Sequence, residues 1–222
     1  MKTTAVVPVY NENPDKLNSF LNELKSYVDD IVVVDDGSLA AISNFQFPIS
    51  NLSLLRHELN RGQGAALQTG TDYAIKHGAR IIVHIDGDGQ HKPENIPSLI
   101  NPIKENKADI VFGSKFLDKT NHIPWTKKHL IIPIARIINY IFTGLKLTDV
   151  HNGLRAFTAS AADKLPITQN RMAHASEYPY LVKKNKLKYM EVPVKVVYEN
   201  YGQGVSAGFK ILKELITEKI IK

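Results

Sequence analysis

The sequence predicts an α/β domain with a mostly parallel central sheet that is covered by helices on both faces. Short segments that are apolar at every residue alternate with segments whose apolar residues recur at helical spacing. Strands without polar positions are typical of parallel sheets buried on both sides, and their alternation with helices is typical of α/β proteins. A length of 222 residues with 43% hydrophobic residues fits one globular domain and excludes a globally disordered chain.

The alternation is clearest in the first 114 residues. Each predicted strand is a short aliphatic run, and each predicted helix has apolar residues on one face. Strands are expected over 4–9, 31–34, 52–55, 81–85 and 110–112. Helices are expected over 17–28, over 64–77 and from Pro93, because proline is favoured in the first turn of a helix.

The second half of the chain has a different pattern. Residues 115–129 are polar and basic and are expected to form a loop, and the apolar stretch 130–145 that follows is interrupted by Pro133. One more strand is expected over 187–198, and 205–222 has the pattern of an amphipathic helix. We therefore predict one domain over 1–204 and an appended C-terminal helix over 205–222.

The net charge of +6 is unevenly distributed along the chain. Residues 1–114 carry 10 Lys and Arg against 14 Asp and Glu, whereas residues 115–222 carry 18 against 8. A basic half is typical of a protein that contacts nucleic acid, a phosphorylated ligand or a membrane surface, and solvated lysine faces are the simpler explanation. Nucleic-acid binding would explain the basic half but not the acidic segments described below.

Cysteine is absent, which excludes disulfide scaffolds, cysteine-ligated zinc, iron–sulfur clusters and thiol catalysis. No apolar run reaches the ~18 residues that a membrane-spanning helix needs. The apolar run at residues 5–9 is too short for a signal peptide. A cytoplasmic protein is therefore expected, with peripheral attachment to the cytoplasmic face of a membrane as a possibility left open.

Acidic residues follow three of the predicted strands. The segments are Tyr10-Asn11-Glu12, Asp35-Asp36-Gly37-Ser38 and Asp86-Gly87-Asp88-Gly89-Gln90. Ligands bind to open parallel sheets outside the carboxyl ends of the strands, so these carboxylates are expected to meet at one crevice. They would repel one another without a cation between them. Asp or Gly in a simple turn is the alternative for each segment taken singly.

The third acidic segment has the residue types of a hard-metal site. Asp86, Asp88 and Gln90 occupy alternate positions, and alternate side chains of an extended segment point the same way. Carboxylate and amide oxygens suit Mg²⁺ or Mn²⁺ better than zinc, and such ions often complete their coordination with water and substrate phosphates. The sequence therefore predicts a Mg²⁺ or Mn²⁺ cofactor together with a phosphorylated ligand.

The segment Asn60-Arg61-Gly62-Gln63-Gly64 precedes a predicted helix. It is not a dinucleotide-binding fingerprint, because it does not follow the first strand and lacks the third glycine. Two interpretations remain open: a backbone that approaches a ligand closely, or a plain turn before a helix.

Five motifs in order resemble family 2 glycosyltransferases of the GT-A fold, a Rossmann-like fold of enzymes that use nucleotide-diphospho-sugars. Three contain the acidic segments and cover residues 7–12, 33–38 and 86–91, and the fourth is the 60–64 segment. The fifth is Asn152-Gly153-Leu154-Arg155-Ala156-Phe157. Within the family, the chain resembles the branch of dolichol-phosphate mannose synthase and other polyprenyl-phosphate glycosyltransferases. The resemblance covers about residues 3–204.

The resemblance implies an inverting transfer of a hexose from a UDP- or GDP-sugar, and it assigns roles to residues. Donor binding falls to Pro8, Tyr10, Glu12, Asp36, Gly64 and Asp86. Asp88 and Gln90, with Asp86 beside them, would hold the metal on the diphosphate. Phosphate contacts fall to Lys115, Lys127, Lys128 and Arg155. The family usually has arginine at the positions of these lysines and a lysine where this chain has Val205, which puts that last contact in doubt.

The acceptor is expected to be a polyprenyl phosphate, dolichyl or undecaprenyl, at a membrane surface, where the chain contacts lipid or a small membrane protein. The alternative acceptor is a saccharide hydroxyl in cell-surface polysaccharide synthesis. A hydroxyl needs a general base, whereas an ionised phosphate does not. Asp149 and Glu177 are the candidate bases, and Asp88 is the third candidate catalytic residue. No nucleic-acid partner is expected, and a homo-oligomer remains open.

Two further functions share parts of this pattern. A nucleotidyltransferase that makes the activated sugar would need a glycine-rich phosphate loop after the first strand, where this chain has Tyr10-Asn11-Glu12. A binding scaffold without turnover would not need the intact Asp88 and Gln90.

Overall fold

The structure is a computed structural model. It describes residues 1–40, 42, 47–118, 132–150, 152–169 and 174–197. The strands are β1 (Thr3–Val9), β2 (Asp30–Asp35), β3 (Leu52–Arg56), β4 (Ile81–His84), β5 (Ile110–Ser114), β6 (Arg155–Thr158) and β7 (Tyr189–Pro193). The helices are α1 (Pro14–Leu24), α2 (Gln63–Lys76), α3 (Ile96–Lys104), α4 (Ile132–Thr143), α5 (Ala159–Ala162) and α6 (His174–Lys184).

The described strands form one sheet in the order β3-β2-β1-β4-β6-β5-β7. Every pairing is parallel except those that β6 makes with β4 and β5. The predicted α/β class and the mostly parallel sheet are confirmed. The strand β6 and the helix α6 were not predicted, and the expected strand over 187–198 is shorter, because it ends at Pro193.

Helices cover both faces of the sheet, and alternate residues of the strands pack against them. Val7 of β1 packs in the apolar cluster that includes α1 and α3, whereas its neighbour Val6 packs in the cluster that includes α2 and α6. The first turn of α1 forms locally: Pro14 occupies the start, and the Asn13 side chain accepts hydrogen bonds from two backbone N–H groups of that turn.

The helix α4 lies within the apolar stretch predicted at 130–145. Two of its isoleucines are largely exposed, Ile137 at 61% and Ile141 at 71%. In the part of the chain that the structure describes, no helix combines the length and the apolar character needed to cross a bilayer. The predicted helix over 205–222, and with it the domain boundary at 204, lies outside the described residues and stays a prediction.

Candidate active site at the carboxyl ends of β1 and β4

The sheet order places two acidic segments next to each other. The chain builds the sheet outward from β1 in both directions, so the ends of β1 and β4 border the point where the strand order reverses. Glu12 follows β1, and Asp86 and Asp88 follow β4. Because β1 and β4 are parallel neighbours, both segments emerge at the same edge. This is the position at which open α/β sheets bind ligands.

Asp88 lies close enough to Glu12 and Asp86 to raise the pKa of both carboxyls. Burial, then repulsion from Asp88, raises the pKa of Glu12 above its ordinary value. The same two causes, with a smaller contribution from Glu12, raise the pKa of Asp86 to about 6. The predicted convergence of acids is therefore present for the ends of β1 and β4. Such a cluster favours the binding of a cation.

Asp86 is held from the helix side by Gln63, the first residue of α2. The Nε2 group of Gln63 donates a hydrogen bond to Oδ1 of Asp86 at 2.6 Å. The other oxygen, Oδ2, lies against Gly153, where a Cβ atom would collide with the carboxylate. Position 153 therefore requires a glycine for a reason that only the fold reveals.

Arg155 is a buried cation that attracts the Asp86 carboxylate. Its side chain is 1% exposed, and its attraction to Asp86 counteracts part of the rise in the pKa of that carboxyl. The guanidinium donates from Nη2 to the carbonyl of Asn152 at 3.1 Å and stacks 4.5 Å from the ring centre of Tyr178. Nη1 has no hydrogen-bond partner within the described chain. The Arg155 side chain is buried in this structure, and its predicted phosphate contact stays a prediction.

Asp36, predicted to bind the donor, is occupied by protein groups. Its carboxylate is buried and accepts hydrogen bonds from His57 Nδ1 at 2.7 Å, from the N–H of Arg61 at 3.0 Å and from that of Gly62 at 2.6 Å. These bonds fasten the 60–64 segment to the end of β2. In this structure Asp36 organises the site, and its donor contact stays a prediction.

The remaining predicted donor residues and the predicted metal ligand Gln90 lie around the same edge. Pro8 is buried within β1, and Tyr10 is exposed just beyond it. Gly64 is buried in the first turn of α2. Gln90 is exposed, and its backbone N–H donates to Oδ1 of Asp88 at 2.9 Å.

An ion pair between Lys115 and Asp149 lies at the end of β5. Both the backbone N–H and the Nζ group of Lys115 donate to Asp149, each at 3.1 Å, and Asn152 donates to the same carboxylate at 3.0 Å. The buried His91 lies within the field of this group: burial, Lys115 and Arg155 lower its pKa to about 4, against the attraction of Asp149. His91 is therefore neutral at physiological pH.

The two candidate bases are already engaged. Asp149 is the anchor of Lys115, as described above. Glu177 on α6 accepts hydrogen bonds from the N–H groups of Thr168 and Gln169, at 3.0 and 3.1 Å, and from the Thr168 hydroxyl. No described contact joins Glu177 to the acids at the ends of β1 and β4. Their catalytic roles stay predictions.

No sequence pattern predicted that three residues would contact other residues of the site, namely Gln63, Gly153 and Glu191. Glu191 on β7 accepts from the N–H of Thr148 at 2.8 Å and from that of Asp149 at 3.2 Å. It thereby fixes the backbone that carries the Lys115 anchor. No local pattern marks Glu191, because its contacts lie more than 40 residues away in sequence.

Other predicted residues lie outside the described part of the chain. These are Lys127, Lys128 and Val205. Within the described residues, no three His, Asp or Glu side chains are grouped so that they could hold a metal by themselves. Asp86 and Asp88 nevertheless fit Mg²⁺ or Mn²⁺, because these ions are commonly held by one or two carboxylates together with substrate phosphates.

Comparison with known proteins gives the family. The family model described as "Glycosyl transferase family 2" matches residues 4–165. An uncharacterised protein of Methanocaldococcus jannaschii is 37% identical over 97% of this chain and 91% of its own length. The UDP-N-acetylglucosamine–dolichyl-phosphate N-acetylglucosaminyltransferase of Methanococcus voltae is 33% identical over 98% of this chain and 96% of its own.

A solved structure shows the same fold. The glucosyl-3-phosphoglycerate synthase of Mycobacterium tuberculosis, crystallised with Mn²⁺, UDP and phosphoglyceric acid, superposes with a TM-score of 0.68 at 16% identity, over 97% of this chain and 76% of that one. The predicted GT-A fold and the predicted family are both confirmed. The chain belongs to glycosyltransferase family 2 and is a glycosyltransferase.

Proposed function

We propose that this glycosyltransferase moves a hexose from a UDP- or GDP-sugar to a polyprenyl phosphate at a membrane surface, with Mg²⁺ or Mn²⁺ as cofactor. The observation that carries the proposal is the charge arrangement of the crevice. A group of three carboxylates, Glu12, Asp86 and Asp88, lies at the ends of β1 and β4. Lys115, paired with a buried Asp149, lies at the end of β5.

The acidic group suits the donor diphosphate, because a divalent cation can bind the carboxylates and the diphosphate together. A divalent ion, when bound, neutralises the charge that grows on the leaving diphosphate. Asp88 is exposed and Asp86 lies close to it at the end of β4, so these two side chains would hold it. The Methanococcus voltae relative is named for a UDP-sugar, which supports UDP as the first donor to test.

The ammonium group of Lys115 suits an ionised acceptor. In the proposed reaction an oxygen of the lipid phosphate forms a bond to the anomeric carbon of the hexose while the bond to the nucleoside diphosphate breaks. The lipid phosphate enters already ionised, so no proton has to be removed. Both candidate bases, Asp149 and Glu177, are held by protein donors, which fits this acceptor better than a hydroxyl. Lys115 would offset the phosphate charge.

The exposed apolar residues of α4 support a peripheral position at a membrane. Ile137, Tyr140 and Ile141 are exposed on this helix, and Lys146 follows it. An amphipathic helix with exposed aliphatic and aromatic residues and nearby cations is typical of segments that lie in the membrane interface. The acceptor phosphate of the proposed reaction lies at that same interface.

The decisive experiment measures transfer with purified protein. UDP- and GDP-hexoses with MnCl₂ are offered a short-chain polyprenyl phosphate, the matching polyprenol or a saccharide. We expect product only with the phosphate. The variant Lys115→Ala should lose about 10²–10³-fold in turnover, the typical cost of removing one charge-stabilising group. Lys107→Ala, an exposed lysine paired with Glu105 in the loop before β5, is the control and should be unchanged.

Two outcomes would contradict the proposal. Transfer to the saccharide but not to the lipid phosphate would support the hydroxyl acceptor, and Glu177→Gln would then be expected to abolish turnover. Absence of any binding of UDP or GDP with Mn²⁺ by calorimetry would support a non-catalytic scaffold.

A further inference from the structure

The role of the 60–64 segment is unassigned in the function proposed above. Its residue Gln63 opens α2 and reaches across to the end of β4, where its Nε2 group donates to Asp86 at 2.6 Å. We propose that Gln63 is a positioning residue that holds the Asp86 carboxylate in its ligand-binding orientation, and that the 60–64 segment acts as a brace between the ends of β2 and β4. This inference rests on the proposed function.

The brace is itself firmly held at its β2 end. Asp36 accepts from the N–H groups of Arg61 and Gly62, so the backbone just before Gln63 is fixed by a buried carboxylate. Gly62 has a φ of 99°, a conformation that favours glycine. His57 bridges Asp36 to Thr69 on α2, at 2.7 and 3.0 Å, which ties the helix to the same anchor.

Asp86 needs such a restraint because its neighbours repel it. Asp88 and Glu12 both disfavour a negative charge at this place. Without the hydrogen bond from Gln63, the Asp86 carboxylate would be free to turn away from Asp88, and with it from the cation that these two side chains would hold. The amide of Gln63 on one side and the cation of Arg155 below counteract this repulsion. Gly153 closes the remaining side against Oδ2.

The test compares Gln63→Leu and Gln63→Glu. Leucine keeps the approximate size but donates no hydrogen bond, and glutamate keeps the shape but presents a second carboxylate to Asp86. Loss of a group that orients a metal ligand typically costs about 10–100-fold in metal affinity or activity. We expect Gln63→Leu to bind UDP with MnCl₂ more weakly by that factor in calorimetry, and Gln63→Glu to bind more weakly still.

The UDP affinities of the two variants distinguish a role in positioning Asp86 from a role in starting α2. A carboxylate at the first position of a helix is favourable for the helix itself. If Gln63 served only to start α2, Gln63→Glu would bind UDP as wild type does, and that result would overturn the inference. In an Asp86→Ala background, Gln63→Leu should cause no further loss, because the proposed effect passes through Asp86.

Gln68→Leu on the same helix is the matched control. Gln68 also uses its amide, donating to Asp72 at 2.7 Å and accepting from the N–H of Ile167 at 2.7 Å, but it does not reach Asp86 in the described structure. It should lower the melting temperature and leave the UDP affinity unchanged. Wild-type affinity and turnover in Gln63→Leu would overturn the inference.

Failure of the proposed function would be seen separately. If the wild-type protein bound no nucleoside diphosphate with Mn²⁺, the function would be wrong. Crystal structures of wild type and Gln63→Leu would still decide the brace. We expect a changed rotamer of Asp86 in the variant, and an unchanged rotamer would overturn the inference.

Discussion

Replacing Asp86 by asparagine should make this protein more stable and less active at the same time. Burial and Asp88 raise the pKa of this carboxyl from 3.8 to about 6, so its ionised form is disfavoured in the folded state. An asparagine keeps the oxygen that accepts from Gln63 and removes the charge. The gain in stability and the loss of cation binding have the same physical origin.

The size of the stabilisation follows from the pKa. Each tenfold change in proton affinity between the folded and unfolded states corresponds to about 1.4 kcal/mol. A pKa raised from 3.8 to about 6 therefore sets an upper limit of about 3 kcal/mol. Because the side chain keeps some exposure and solvent screens its charge, we expect Asp86→Asn to increase the free energy of unfolding by about 1–2 kcal/mol at pH 7.5.

The gain should depend on pH with a defined sign. Above pH 6 the wild-type protein carries the disfavoured charge, so the variant is the more stable protein. Between about pH 6 and 4 the folded wild type takes up a proton that the unfolded chain does not bind, which restores its stability. The difference should therefore shrink to zero as the pH falls from 6 towards 4.

Urea unfolding at several pH values measures this difference, and turnover with the UDP-sugar measures the loss, expected to be about 10²-fold or more. Asp72→Asn makes the same change at an exposed carboxylate of α2 and should alter stability by less than about 0.5 kcal/mol at every pH. A variant less stable than wild type at pH 7.5, or a difference that grows at lower pH, would refute the reasoning.

Four further predictions concern the frame of the site, the turn after α2 and the membrane side. Gly153→Ala places a Cβ atom against the Asp86 carboxylate and should lower kcat/KM by about 10²-fold. Gly78→Ala should lower the free energy of unfolding by about 1 kcal/mol, because position 78 has a φ of +84°, which alanine disfavours. Activity should be unchanged, because a Cβ atom at this position meets open space. Asp36→Asn places an amide N–H₂ against backbone donors and should lower the free energy of unfolding in urea by about 2 kcal/mol. Ile141→Glu replaces an aliphatic residue of α4 that is 71% exposed. It should weaken binding to anionic phospholipid vesicles about 10-fold in co-sedimentation and preserve turnover of a soluble short-chain acceptor. Vesicle binding equal to that of the wild type would show that α4 does not contact the membrane.

The sequence determined the acidic half of the site through a simple rule of geometry. Parallel strands of one sheet end at the same edge, so the residues after β1 and β4 were expected at one edge once those strands were recognised. They meet only where the two strands are neighbours, as β1 and β4 are in this sheet. Glu12, Asp86 and Asp88 do so. The aliphatic runs were sufficient to recognise the strands, because a strand buried on both faces has no place for polar side chains.

The pairing of β6 was decided only by the tertiary structure. Arg155–Thr158 is a strand of 4 residues, too short for a distinctive pattern, and it lies antiparallel between β4 and β5. Its partner β4 is more than 70 residues earlier in the sequence. That pairing brings Gly153 and Arg155 to Asp86, which no spacing along the chain could indicate.

The hydrogen-bond partners of the polar side chains were also decided by the fold. The resemblance assigned Asp36 to the donor, and Asp149 was one of two candidate bases. In the structure each accepts hydrogen bonds from N–H groups that folding brings to it, and both roles stay predictions. A sequence specifies which groups can carry charge and which strands carry them to an edge. Which carboxylate has oxygens left for a ligand depends on donors that distant segments supply, because a buried carboxylate takes whatever N–H groups the folded chain places within hydrogen-bonding distance.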